Sequence, residues 1–140
     1  MNWQKEHFLH EMNHWWFKSR RSFLKNILDK VADSKKKSVI DLGCGSGTNL
    51  KYLFSNYKKK VGIELDLFSF KKAKLINPEA KILNLDLNKI DTLKGKFNLV
   101  SILDVLYHQN IINPKELIEK VQKLNSVDDY LIITEPAFKL

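Results

Sequence analysis

Short, continuous apolar bursts alternate along this chain with longer stretches in which apolar positions recur every three or four residues. The bursts read as strands buried on both faces, and the periodic stretches as helices with one apolar side. Two helices are predicted at 4–14 and 17–33, the second aligning Leu24, Ile27, Leu28 and Val31 on one face. A polar turn at Lys35–Lys37 leads into a strand over 38–42. A helix is predicted at 48–57, with Leu50, Leu53, Phe54 and Tyr57 as its buried stripe. Val61–Glu64 is a second strand, followed by a helix through Leu75 that Asn77-Pro78 stops.

Lys81–Leu85 and Phe97–Leu103 continue the series as third and fourth strands. Asn113-Pro114-Lys115-Glu116 then supplies a capping residue, a proline at the first helical position and a glutamate in the first turn. The helix it opens turns Leu117, Ile118, Val121 and Leu124 inward, and Tyr130–Thr134 is the fifth strand. Strands alternating with helices predict an α/β fold, a doubly wound parallel sheet preceded by N-terminal helices.

The first strand ends in Asp41, after which Gly43, Gly45 and Gly47 alternate before the next helix. Glycine allows positive φ and leaves no Cβ in a ligand's way. At the carboxyl end of a parallel strand, such a turn is where open sheets bind ligands. The spacing is G-x-G-x-G and not the G-x-G-x-x-G of dinucleotide sites. A carboxylate two residues before the first glycine suits a cationic ligand better than a pyrophosphate.

This pattern resembles motif I of the class I S-adenosylmethionine-dependent methyltransferases. The resemblance implies a Rossmann-like sheet of order 3-2-1-4-5 and S-adenosylmethionine as cofactor. It places Asp41, Gly43, Cys44, Gly45 and Gly47 at the donor. Glu64 ends the second strand 17 residues after Gly47, where a nucleotide fold carries its ribose-binding acid, with Leu65 beside it. Asp86 matches the family's acid for the adenine amino group, and Leu87 would line the ring. Asp104-Val105-Leu106-Tyr107-His108 resembles the segment lining the transfer site, with Asp104 orienting the methionyl end and Tyr107 and His108 as catalytic candidates. His108 is the candidate base for an acceptor hydroxyl.

The N-terminal His14-Trp15-Trp16-Phe17, followed by Arg20-Arg21, is similar to the lead-in of bacterial methyltransferases that act on surface glycans or small molecules. There the helix closes over the donor, so Arg20 or Arg21 is expected to pair with its carboxylate. The acceptor implied is a small molecule or glycan, methylated on oxygen or nitrogen. Thr134-Glu135-Pro136 also resembles the family and is expected to shape the acceptor pocket. One conflicting signal precedes it. His10-Glu11-Met12-Asn13-His14 spells H-E-x-x-H, a zinc-protease signature, but Phe17 stands where a third-ligand motif would follow, so no metal is expected.

Composition sharpens this only partly. The 140 residues make one domain, read as a helical cap at 1–34 and a core at 38–140. The net charge of +8 reflects lysine runs at 35–37, 58–60 and 71–74. They could draw in an anionic substrate such as RNA or a nucleotide-sugar, or lie on solvated faces. They lack the aromatic interleaving of a nucleic-acid platform. A single cysteine and no membrane-length apolar run make the reducing cytoplasm the default location.

Family members usually add a further helix and an antiparallel strand pair, which this sequence does not carry. Leu131-Ile132-Ile133 would then form an apolar edge that invites dimerisation. The same shortness admits a second function, a truncated module that binds the donor without transferring its methyl group. A nicotinamide-dependent enzyme is disfavoured by the glycine spacing.

Overall fold

The computed structural model describes residues 3–31 and 37–137. Residues 32–36, which hold the end of the second predicted helix and most of the lysine turn, lie outside the described residues. Helices α1 (Trp3–Asn13) and α2 (Trp15–Val31) come first. The core follows as β1 (Ser38–Leu42), α3 (Thr48–Tyr52), β2 (Lys59–Ile63), α4 (Leu67–Ile76), β3 (Lys81–Leu83), β4 (Phe97–Leu103), α5 (Pro114–Val121) and β5 (Asn125–Thr134). A 3₁₀ turn at Leu87–Thr92 joins β3 to β4. The five strands pair in parallel in the order 3-2-1-4-5, as expected.

Alternation along the strands divides the core into two layers. Ile40, Leu42, Val61, Ile63, Val100 and Ile102 pack under the 3₁₀ turn and α5. Val39, Leu99, Leu103 and Ile82 face the other way, beneath Leu24 and Leu28 of α2 and Leu50, Leu53 and Phe54 of the α3 region. Asp41 and Ser101 sit opposite each other in β1 and β4, on this second face.

Several predicted boundaries shift. The helix at 48–57 closes after Tyr52, because the N–H groups of Leu53 and Phe54 both turn back to the Asn49 carbonyl. Leu53, Phe54 and Tyr57 are nevertheless buried, so the apolar spacing reported burial and not helix. β3 stops at Leu83, and β5 begins at Asn125, ahead of the expected Tyr130, with Asp128 at φ +72 in an irregular stretch of the ladder. Of the four residues expected on the inner face of α2, only Leu24 and Leu28 are buried, while Ile27 and Val31 are exposed. Helix α2 lies on the sheet along a stripe one residue wide. In α5, Leu117 and Val121 are buried and Ile118 only partly.

Gly62 lies in mid-strand, where β2 passes beneath the glycine turn. A Cβ there would meet Cys44 Sγ and Leu50 Cδ1, each at 2.8 Å, and Ile82 Cδ1 at 3.0 Å. We expect Gly62→Ala to lower unfolding stability by about 1–3 kcal/mol, the usual cost of overpacking a close-packed layer, read as a shift in the urea midpoint.

Candidate active site

The turn after β1 has left-handed backbone at all three glycines, with φ of +75° at Gly43, +54° at Gly45 and +82° at Gly47. The N–H groups of Gly43 and Cys44 both donate to the Ile63 carbonyl at 2.9 Å, which folds the turn over the end of β2. A Cβ on Gly43 would press on Val105 Cγ2 at 2.6 Å, and one on Gly47 on Asn77 Nδ2 at 2.5 Å and Ala73 Cα at 2.9 Å. Gly45 has nothing within 4 Å of such a position. The outer glycines therefore serve packing, and the middle one leaves bare backbone beside open space.

That space is a cavity of about 820 Å³, a size suited to a small-molecule ligand. Its walls bring together Arg20, Gly43, Cys44, Gly45, Glu64, Leu65, Asp86, Leu87, Asp104, Tyr107 and His108, residues spread over most of the chain. Two expected residues are placed differently. Gly47 packs against α4, where the Asn77 side chain donates to its carbonyl at 3.0 Å. Asp41 lies below the cavity, because an inward-pointing residue in mid-sheet is covered by the turn above it.

The carboxylates are held in specific ways. Glu64 Oε2 accepts from the Gly45 N–H at 2.8 Å and Oε1 from the Asp66 N–H at 2.7 Å, so its side chain faces the glycine turn. Burial raises its pKa, and those N–H donors pull it back. Asp86 accepts from the Asn88 backbone N–H at 2.9 Å and caps the 3₁₀ turn that carries Leu87. Cys44 is buried, and desolvation, followed by the charges of Asp41 and Glu64, pushes its thiol pKa well up; it is no nucleophile.

At the far wall, Asp104 has φ +56, a conformation costing about 1 kcal/mol or more for a non-glycine residue. It is held there on several sides. Arg20 forms an ion pair with Asp104 Oδ2, and Thr134 Oγ1 donates to Oδ1 at 3.0 Å. Arg20 Nη2 donates to Thr134 Oγ1 at 2.6 Å, and the Asp104 N–H donates to the Thr134 carbonyl at 2.8 Å. Glu135 Oε1 accepts from the Val105 and Leu106 N–H groups, at 3.2 and 2.7 Å. The Thr134-Glu135-Pro136 segment thus orders the turn after β4, and Pro136 reaches the cavity wall. Tyr107 and His108 stack at 4.5 Å and are exposed at the rim.

The pairing expected of Arg20 or Arg21 puts both on the cavity wall, whereas the place of Glu11 in the site was not foreseen. Arg21 lines the cavity beside Arg20, and Glu11 reaches it from α1. The Glu11 carboxylate accepts from Ser46 Oγ and Thr48 Oγ1 at 2.7 Å each. Within the H-E-x-x-H spelling, the glutamate faces hydroxyls of the glycine turn. His10 and His14 stack on each other at 4.2 Å, and no group of three or more His, Cys, Asp or Glu among the described residues is arranged to hold a metal ion. No local signal marks Glu11, whose partners are 35 and 37 residues away.

A family model described as a methyltransferase domain matches residues 8–139, and the chain belongs to that family. A protein of Invertebrate iridescent virus 6 named as a methyltransferase is 32% identical over 78 residues, 54% of this chain and 29% of that protein. Among solved structures, the N-methyltransferase NodS from Bradyrhizobium japonicum WM9, in complex with S-adenosyl-L-homocysteine, superposes with a TM-score of 0.74. It is 16% identical, over 89% of this chain and 64% of its own. PH0226 from Pyrococcus horikoshii OT3 gives a TM-score of 0.72 at 21% identity, over 88% and 59% of the two chains. Coclaurine N-methyltransferase, bound to N-methylheliamine and S-adenosylhomocysteine, gives 0.67 at 14% identity, over 84% and 36%. These likenesses show a shared fold. The chain spans 29% of the viral protein and 36% to 64% of these structures.

Asp41 carries a pH signature. It is 1% exposed, its Oδ1 accepts from Ser101 Oγ at 2.7 Å, and its Oδ2 is buried with no hydrogen-bond partner. Burial pushes its pKa from 3.8 up to about 7, against the Ser101 hydrogen bond. A carboxyl that holds its proton more tightly when folded stabilises the fold while protonated. That stability drains as pH rises from about 4 to about 7 and stays lost above. Urea midpoints measured from pH 4 to 8 are expected to fall across this window in the native chain, and the fall to flatten in Asp41→Asn.

Proposed function

We propose that the chain binds S-adenosylmethionine in this cavity and transfers its methyl group to an oxygen or nitrogen of a small-molecule or glycan-like acceptor. The observation that carries this is the joint placement of the bare Gly45 backbone, the Glu64 carboxylate and the Asp86–Leu87 turn on one cavity wall. Glu64, already ordered by two N–H donors, has the remaining acceptor capacity to take both ribose hydroxyls. Asp86 takes the adenine amino group, with Leu65 and Leu87 against the ring. A side chain at Gly45 would occupy the cradle. S-adenosyl-L-homocysteine bound in NodS and in coclaurine N-methyltransferase supports the same ligand class here.

When bound, S-adenosylmethionine supplies a methyl group on a positively charged sulfur, which leaves as a neutral thioether. The chain's own task is alignment in a water-poor pocket, the larger share of catalysis for such a transfer. Arg20 and Asp104 fix the methionyl end at the carboxyl edge of β4. Arg20 is already committed to Asp104 and Thr134, so Arg21 is the better-placed guanidinium for the ligand's carboxylate. The Tyr107–His108 stack borders the acceptor entrance, where His108 takes the proton that the acceptor's hydroxyl or amine releases. Trp16 and Phe17 wall the opposite side.

Isothermal titration of the folded chain with S-adenosylmethionine and with S-adenosylhomocysteine tests this reading. Saturable binding is expected, and Glu64→Gln should weaken it about 10- to 100-fold, the scale of losing charge-assisted hydrogen bonds. Absence of saturable heat at millimolar ligand would overturn it. NAD is expected to give none.

A further inference from the structure

A second cavity, of about 550 Å³, lies between the segment that leads into β4 and the end of α5. Lys94, Lys96, Lys120 and Lys123 line it, with Asp91 as the carboxylate among them. It shares no lining residue with the cavity at the glycine turn. Lys96 places it at the amino end of β4, whereas Leu103 and Asp104 border the first cavity at the carboxyl end. Strand β4 is seven residues long, which sets the two sites about 20 Å apart.

Two of the lysines strap the walls of this cavity together. Lys96 Nζ donates to the Lys123 carbonyl at 2.7 Å and to the Asn125 carbonyl at 3.0 Å. Lys120 Nζ lies 3.0 Å from Asp91 Oδ2 and 2.7 Å from Glu116 Oε1. An ammonium group has three N–H donors, so each strap keeps one for a ligand. Among the described residues, the Lys94 and Lys123 side chains are in no ion pair. Gly95, at φ +120, lies between Lys94 and Lys96, and a Cβ there would meet nothing nearer than Phe97 Cε2 at 4.0 Å. Bare backbone therefore borders this cavity too.

We infer that this cavity is a second binding site, which takes a small organic phosphate such as a nucleoside diphosphate. Four ammonium groups against one carboxylate select an anion. Lysine ammoniums are compact charges without the planar fork that arginine offers a carboxylate. Several of them on one cavity suit an anion whose oxygens point in several directions, as those of a phosphoryl group do. Ile90, Leu93 and Leu124 add apolar wall to the same cavity, where the organic part of the ligand is set down. The enclosed shape and, among the described residues, the lack of any aromatic ring in its lining favour a small molecule over a nucleic-acid strand, which needs stacking platforms. The site is independent of what fills the cavity at the glycine turn.

Amide chemical shifts of the full chain, followed by NMR during titration with pyrophosphate and with ADP, test the site. Saturable shifts are expected at 90–96 and 120–125 with low-millimolar ligand, with ADP binding more tightly than pyrophosphate. The exposed pair Lys94→Ala/Lys123→Ala should weaken both ligands about tenfold and leave the urea midpoint in place. Lys71→Ala/Lys74→Ala removes the same charge from exposed positions of α4 and should change the affinity less than about twofold. Absence of saturable shifts at 90–96 and 120–125, shifts confined to the glycine turn, or equal weakening by the two lysine pairs overturns the site. ADP that binds no more tightly than pyrophosphate overturns the role of the apolar wall. A single-stranded RNA oligonucleotide that shifts the same amides at lower concentration than ADP overturns the small-molecule reading.

Discussion

The close approach of β2, β4 and α4 to the turn after β1 is the constraint on which the rest of this molecule depends. Val105 presses on Gly43, Ala73 and Asn77 press on Gly47, and the Ile63 carbonyl draws the first two N–H groups of the turn onto β2. Only backbone without side chains fits between those neighbours, and only glycine holds the left-handed angles without strain. Once the turn is pinned, the Gly45 N–H points at Glu64, and Glu64 becomes part of the cavity wall. The site is thus set up by sheet packing before any ligand contributes.

Electrostatically the cavity opposes the chain that surrounds it. A protein of net charge +8 places Glu11, Glu64, Asp86 and Asp104 around one concave space. Arg20 is bound to Asp104, and Arg21 is partly desolvated, which lowers its pKa. Beneath them Asp41 sits fully buried with one oxygen unpaired, raised toward neutrality by its surroundings. A positively charged ligand relieves that crowding of like charges, whereas a pyrophosphate would add to it. Among the described residues, Lys37, Lys58, Lys59, Lys60, Lys71, Lys72 and Lys74 of the lysine runs are not part of the cavity walls.

The two N-terminal helices attach by different physics. Helix α2 is anchored by Leu24 and Leu28 in the core and by Arg20 on the Asp104–Thr134 cluster. Among the described side chains of helix α1, Glu11 ties it to the core through the Ser46 and Thr48 hydroxyls, and His10 meets the Phe17 ring edge-on. Apolar burial of this kind is broad and hard to release, while a hydrogen-bonded carboxylate exchanges readily with water.

Local chemistry in the chain determined the strand and helix order, the glycine turn and the cap at Asn113, while Glu64 and Asp86 were marked out as site residues by the family likeness. The first three depend on neighbours within a few residues or on a short spacing, so each is written in the primary sequence. The parallel 3-2-1-4-5 sheet followed from that alternation together with the family likeness. Tertiary packing alone decided that α3 stops at Tyr52, that Ile27 and Val31 stay exposed, and that Asp41 lies below the cavity and not on its wall. It also turned Glu11 from one letter of a zinc-like spelling into a partner of Ser46 and Thr48. The physical reason is range. Periodicity and turn chemistry act between near neighbours, whereas a buried carboxylate or a side-chain hydrogen bond such as that of Glu11 depends on which distant surface the folded chain brings within reach.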